Sequence, residues 1–180
     1  ARHVISFKGD AVSFGENSKL PKDRLIDLLL SRKVAHRLLE HEPCRSADES
    51  TAARALAGDR ISVGAKALLV KSRSAGFCML ALPATARLVS KKLRKVIGEF
   101  RFASEVELGE MTGGLEYGMV PPFARPIFDR IERLYVDQAL LDAETVGFNA
   151  ASLTTSIVMP CVAYIALAGP NDILLFSGDG

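Results

Sequence analysis

Hydrophobic positions along this chain follow two rhythms. Across residues 22–39 the apolar side chains Leu25, Ile26, Leu28, Leu29, Leu30, Val34, Leu38 and Leu39 recur near every 3.6 residues, behind a proline at position 21 that suits a first helical turn. The spacing predicts one long helix packed on a sheet, with His36 on it as a partly exposed surface residue. Residues 65–70 and 77–82 are instead short continuous apolar runs separated by a polar turn, the pattern of two buried strands in a hairpin. Ser46 and Ser104 are each followed three residues later by a glutamate, Glu49 and Glu107, so capping boxes open helices over about 48–56 and 105–111. Further on, the pattern gives a short helix at 91–97, strands at 100–102, 131–136, 145–148 and 154–159, a helical turn at 138–141 and a final helix at 161–167. The expected organisation is an N-terminal arm over 1–20 with at most one strand at 3–7, a domain over 21–168 and a tail over 169–180. In that tail Ile173, Leu174, Leu175 and Phe176 form an apolar run that either docks back or meets a partner.

Composition narrows the class. With 180 residues, 48% hydrophobic and 24% charged, the chain suits one well-buried domain. Lys+Arg 23 against Asp+Glu 21 leaves +2, which argues against a wholly basic nucleic-acid coat but allows a local basic face. Lys91, Lys92, Arg94 and Lys95 supply one, read either as an ordinary solvated helix face or as a set of phosphate contacts. Cys44, Cys78 and Cys161 are odd in number and scattered, without C-x-x-C or clustered histidines, so neither a disulfide framework nor a zinc site is expected. This usage fits a reducing, cytoplasmic compartment. No run approaches the roughly 20 apolar residues that span a bilayer, and no cofactor or metal is called for.

Two stretches carry candidate chemistry. Lys66 interrupts the first apolar strand, where an ammonium loses hydration and must find anionic partners or a lower pKa; the alternative is a stem lying on the sheet edge with its head in water. Residues 113–123 contain Gly113, Gly114 and Gly118 ahead of Pro121 and Pro122. The glycines allow positive φ and close approach to backbone amides, and the prolines stiffen the exit. No G-x-x-x-x-G-K-[ST] is present, so this is a weak phosphate-loop signal.

Taken together, His41 with Ser46-Ala47-Asp48-Glu49, then Gly64-Ala65-Lys66-Ala67-Leu68-Leu69, then Gly118-Met119-Val120-Pro121-Pro122-Phe123, and Phe148-Asn149-Ala150-Ala151-Ser152 with Thr154-Thr155-Ser156-Ile157 resemble the YbaK/EbsC family of aminoacyl-tRNA deacylases, which includes the editing domain of bacterial prolyl-tRNA synthetases. The resemblance spans about residues 25–168. It implies a mixed α/β fold, α+β-like, with a curved mixed sheet or partial barrel surrounded by helices. The implied activity is hydrolysis of the ester joining a mischarged amino acid, alanine or cysteine on tRNA(Pro), to the tRNA 3′ end.

By the same resemblance Lys66, Gly118 and Asn149 are the catalytic group. His41, Ser46, Met119, Val120, Pro121, Pro122 and Ser152 line the substrate, with a structural role left open for His41. Lys91, Lys92, Arg94 and Lys95 meet the acceptor stem. The implied partners are the tRNA acceptor end and a synthetase, prolyl-tRNA synthetase among them. Ala151 stands where many relatives have glycine, and Ser156 where one branch has aspartate. The other readings are a non-catalytic tRNA- or synthetase-binding module of the same fold, and a small-molecule binding domain built on the 113–122 loop.

Overall fold

The computed structural model describes residues 19–178; the arm strand expected at 3–7 lies outside them. Helix α1, Pro21–Ser31, buries Leu25 and Leu29. It is shorter than the periodicity predicts. Lys33 takes the left-handed conformation at φ 53°, and Lys33 and Val34 N–H donate back to Leu30 and Leu29 C=O at 3.0 Å each. This is a Schellman stop with lysine in the place glycine usually fills. Residues 37–40 then become strand β1, Arg37–Glu40, in which Leu39 is buried and its neighbours are not. His36 is therefore in the connection, half-buried, with Nδ1 2.7 Å from Val34 C=O.

Helix α2, Ala47–Leu56, carries the expected capping box of Ser46 and Glu49. Strands β2, Val63–Ser72, and β3, Gly76–Pro83, form the hairpin. A short β4, Arg87–Leu88, leads into α3, Ser90–Ile97, and then β5, Phe100–Phe102. Helix α4, Glu105–Thr112, opens on the second capping box, Ser104 with Glu107. After a long loop, buried over 120–124, come β6, Arg133–Asp137, a 3-10 turn at Gln138–Asp142, β7, Thr145–Asn149, and β8, Thr155–Pro160. Helix α5, Cys161–Ala168, precedes β9, Asp172–Leu174, and β10, Ser177–Gly178.

The strands order as β1-β8-β7-β2-β3-β6-β9, with β5 also on β2 and a separate β4–β10 pair. Pairing is parallel for β7 with β2, β3 with β6 and β6 with β9, and antiparallel elsewhere. This is the mixed sheet expected for the fold class. The main core lies between the sheet and α1, α4, α5 and the 120–131 loop, where Phe123, Phe148 and Tyr164 pack edge-on with centroids 5.4 to 6.0 Å apart. The other face of the β2–β3 hairpin is covered by Leu93 and Ile97 of α3 and by Phe176. Strand β3 is thus apolar on both faces, which is why it reads as an unbroken run.

The apolar run of the tail docks back: β9 lies parallel to β6 and Phe176 is buried. Asp137, wholly buried, fastens it. Its Oδ2 accepts from Phe176 and Ser177 N–H at 2.9 and 2.6 Å, and its Oδ1 accepts from Ala139 N–H at 2.9 Å. No helix among the described residues is long and apolar enough to cross a membrane. Asp137→Ala strands three backbone donors, so it should lower stability by about 3 kcal/mol in urea denaturation. The Phe176 and Ser177 amides should lose hydrogen-exchange protection before the β2–β3 amides do.

Candidate active site

The site is built where β2 changes partners. Gly64 C=O accepts from Ala84 N–H at 2.7 Å, and Pro83, which has no N–H to give, stands opposite Ala65. By alternation the peptide groups of Gly64, Lys66, Leu68 and Val70 therefore face β3, and those of Ala65, Ala67 and Leu69 face the other way. On that other side β7 pairs only with Val63 and Gly64. Pairing with β5 begins at Val70, after Leu69 C=O has accepted from Ala103 N–H at 2.9 Å. Between them Ala67 presents its N–H and C=O to a gap with no strand beside it. The gap is a cavity of about 190 Å3 lined by Arg45, Ser46 and Arg54 from the α2 side, 64–68 from β2, Gly118 and Val120 from the loop, and Asn149 from β7. An engineered apolar cavity of about 150 Å3 holds benzene, so this one has room for a small aminoacyl group.

Lys66 enters the cavity from the sheet. Its Nζ donates to Ala84 C=O at 3.0 Å and Ala86 C=O at 2.6 Å, which leaves one of its three protons for a ligand. Burial, with a smaller contribution from the Arg87 charge, lowers its pKa from the usual lysine value. Its partners are carbonyls and no aspartate or glutamate lines the space, so of the two outcomes open from the sequence, anionic partners or a lowered pKa, the structure gives the second.

Gly118 sits at φ 89°, and a Cβ there would lie 3.2 Å from Arg45 C=O, so glycine is required twice over at this turn. Its carbonyl accepts from Asn149 Nδ2 at 2.6 Å. Asn149 Oδ1 in turn accepts from Ser156 Oγ at 3.0 Å, and Ser156 Oγ lies 2.8 Å from His41 Nε2. His41 Nδ1 faces Glu42 C=O at 2.8 Å. Since Ser156 gives its only proton to Asn149, His41 Nε2 must donate to Ser156 in this arrangement. Ser156, wholly buried, is thus the hub that ties β1, β7, β8 and the loop together. Its position was legible only as a missing aspartate.

The remaining expected site residues divide. Val120 and Ser46 line the cavity, although the Ser46 hydroxyl is occupied in accepting from Glu49 N–H at 3.2 Å. Met119, Pro121, Pro122, His41 and Ser152 are not among the lining residues. Pro121 and Pro122 are buried beside it, and Pro122 C=O accepts from Tyr164 Oη at 2.6 Å. Ser152 stabilises its own turn by accepting from Thr154 N–H at 3.1 Å, next to Ala151, which holds φ 53° without glycine. On α3, Lys91 and Lys95 are exposed, Lys92 reaches Ser177 C=O at 3.2 Å, and Arg94 pairs with Glu99 at 3.1 Å. Cys78 is fully buried and its thiol pKa is raised to about 11 by desolvation, which removes it as a nucleophile. Among the described residues no group of three or more His, Cys, Asp or Glu side chains clusters as metal ligands would.

Arg54 is the residue that sequence reasoning missed. It sits on α2, only 3% exposed, and lines the cavity. Gly64 and Gly147 face each other across β2 and β7, and a Cβ on them would stand 2.6 Å from Arg54 Nη2 and 2.8 Å from its Nε. Glycine inside an apolar strand signals close approach of something from outside the sheet, and here it is this guanidinium.

The aminoacyl-tRNA editing domain model matches residues 41–167. The chain belongs to this family. Among its relatives, the multifunctional Ser/Thr-tRNA deacylase ProXp-y of Escherichia coli O157:H7 is 29% identical over 154 residues, covering 82% of this chain and 88% of that protein. Two solved structures share the editing-domain fold. One, a hypothetical protein, superposes with a TM-score of 0.73 at 25% identity over 86% of this chain and 99% of the other. The second, described as a candidate trans-editing enzyme for prolyl tRNA synthetase, gives 0.71 at 23% identity over 88% and 98%. The family match contains Lys66, Gly118, Asn149, Ser156 and Arg54.

Ser156→Ala tests the hydrogen-bond hub. It leaves Asn149 Oδ1 and His41 Nε2 without their partner, and the expected cost is about 1–3 kcal/mol in urea denaturation. Faster hydrogen exchange at Met119, whose N–H donates to Glu116 C=O within the loop at 3.1 Å, should accompany it.

Proposed function

We propose that this editing domain is a hydrolase that removes a small mischarged amino acid from a tRNA. The observation that carries the reading is the convergence of Lys66, Gly118 and Asn149, from three distant segments, on one cavity of aminoacyl size. In the proposed step a water oxygen attacks the ester carbonyl and the bond to the ribose oxygen breaks. A proton originating from that water reaches the departing ribose oxygen, giving free amino acid and an intact tRNA hydroxyl. The remaining Lys66 proton and the open Ala67 N–H are the donors for the carbonyl oxygen as it gains charge. Asn149 keeps one amide proton beyond the one given to Gly118, available to ribose or carbonyl.

The favoured substrates are alanyl- or cysteinyl-tRNA(Pro), with prolyl-tRNA synthetase as a candidate partner. The relative named as a Ser/Thr-tRNA deacylase makes seryl- and threonyl-tRNA the comparison pair. The basic face of α3 is the proposed acceptor-stem contact, because the chain runs straight from the carbonyls that hold Lys66 into that helix.

Deacylation assays with Ala-, Cys-, Ser-, Thr- and Pro-tRNA, without added metal, test the reading. Turnover of a mischarged species should fall by a factor on the order of 10² or more in Lys66→Ala with the fold intact. Bound tRNA with no turnover of any of them would replace the hydrolase by a binding module. Reversing the charges of Lys91 and Lys95 should flatten the salt dependence of tRNA binding by up to about two phosphate contacts; an unchanged slope removes α3 from the interface.

A further inference from the structure

We infer that the open edge of β2 binds the aminoacyl group as a strand one residue long: Ala67 C=O accepts from the substrate's α-amine while Ala67 N–H donates to its ester carbonyl. This rests on the editing reading for the identity of the ligand, but the pairing itself follows from the backbone. From Gly64, the last residue paired with β7, to Leu69, whose C=O accepts from Ala103 N–H, the strand runs roughly 16 Å at about 3.3 Å per residue. Ala67 lies in that span and lines the cavity, with its N–H and C=O turned to the same side. In an antiparallel sheet a residue so placed exchanges both hydrogen bonds with one residue directly opposite. An aminoacyl ester carries what such a partner offers, an amine donor and a carbonyl acceptor on one α-carbon. Adding a strand to a free sheet edge through main-chain bonds is a general mode of peptide recognition, and a single residue is the shortest strand that can make both bonds.

The cavity favours this acceptor for the amine. No carboxylate lines it. Of the carbonyls around it, Gly118 C=O accepts from Asn149 Nδ2 at 2.6 Å and Ala84 C=O from Lys66 Nζ at 3.0 Å, whereas Ala67 C=O faces the gap. The pairing also fixes handedness. Ala67 and Leu69 turn their side chains to the main core, which includes Val120. Leu68 turns to the opposite cluster, under α3, and Lys66 shares its face by alternation. Directly opposed residues of two antiparallel strands carry their side chains on the same face. The side chain of an L-amino acid therefore lies beside the Ala67 methyl and Val120, and that of a D-amino acid is turned to the Lys66 side. Selection for a small L residue then comes from strand geometry, with the Ala67 methyl as its nearest neighbour.

The test uses tRNA(Pro) ending in 3′-amino-3′-deoxyadenosine, which holds an acyl group through a stable amide. L-alanyl, D-alanyl and propionyl forms are compared for binding to the wild-type chain, with hydrogen exchange at the Ala67 amide followed in the L-alanyl complex. The L-alanyl form should bind at least about tenfold more tightly than the propionyl form, which lacks only the amine, and at least about tenfold more tightly than the D-alanyl form. Exchange at Ala67 should slow by about tenfold or more when the L-alanyl form is bound. Equal affinity of the L-alanyl form and either of the others overturns the pairing, as does unchanged exchange at Ala67. Deacylation of the corresponding esters is scored separately. Slowed exchange and a preference for the amine without turnover of any ester keep the pairing and remove the hydrolase; turnover of L-alanyl-tRNA with no preference for the amine does the reverse.

Discussion

The structure turns on a single strand that cannot keep one neighbour. β2 leaves β7 after Gly64 and does not meet β5 until Val70, so the peptide groups between must face open space. A sheet normally closes such a gap, because unpaired backbone groups are a liability when buried and an invitation to aggregation when exposed. Here it is roofed by the Gly118 loop on one side and α2 on the other. Everything that makes the cavity chemical follows: an amide edge along its floor, a lysine whose stem crosses that floor, and an arginine laid over the two glycines where β2 and β7 part.

The roof is held by polar contacts, in contrast to the aromatic core beneath it. Phe123, Phe148 and Tyr164 fix the sheet and the proline end of the loop. The glycine end depends on Asn149, Ser156 and His41 acting in series. Hydrogen bonds in series give directional control that apolar packing lacks, and inside a low-dielectric interior each link strengthens the next. The placement of Gly118 is thus coupled, through Asn149 and Ser156, to a histidine that does not line the cavity.

Much of the fold was legible in the sequence because its signals are local. Both capping boxes are sequence features that the backbone obeys, and the two apolar runs around a polar turn have few ways to pair. The overlong first helix shows the limit. Leu38 and Leu39 continue a helical period by coincidence, and the stop at Lys33 carries no glycine to announce it. For the site, Lys66, Gly118 and Asn149 could be named from motifs, but the bonds between the motifs could not. Ser156 read as a lost carboxylate and is a junction. Arg54 gave no sequence signal of its own, since its burial depends on Gly64 and Gly147, distant in sequence and aligned only by strand register.

The ion pair between Arg45 and Glu116 bridges the start of α2 and the loop, with both side chains 69% exposed. A contact of that kind is worth about 0–1 kcal/mol and weakens with salt, close to thermal energy at about 0.6 kcal/mol. The Asn149 bond to Gly118, a few residues along the same loop, is part-buried and cannot be exchanged for water so cheaply. The entrance and the floor therefore differ in compliance. A bulky polynucleotide end can push the rim aside in the course of ordinary fluctuation, while the atoms that would touch its ester stay registered to within the length of a hydrogen bond.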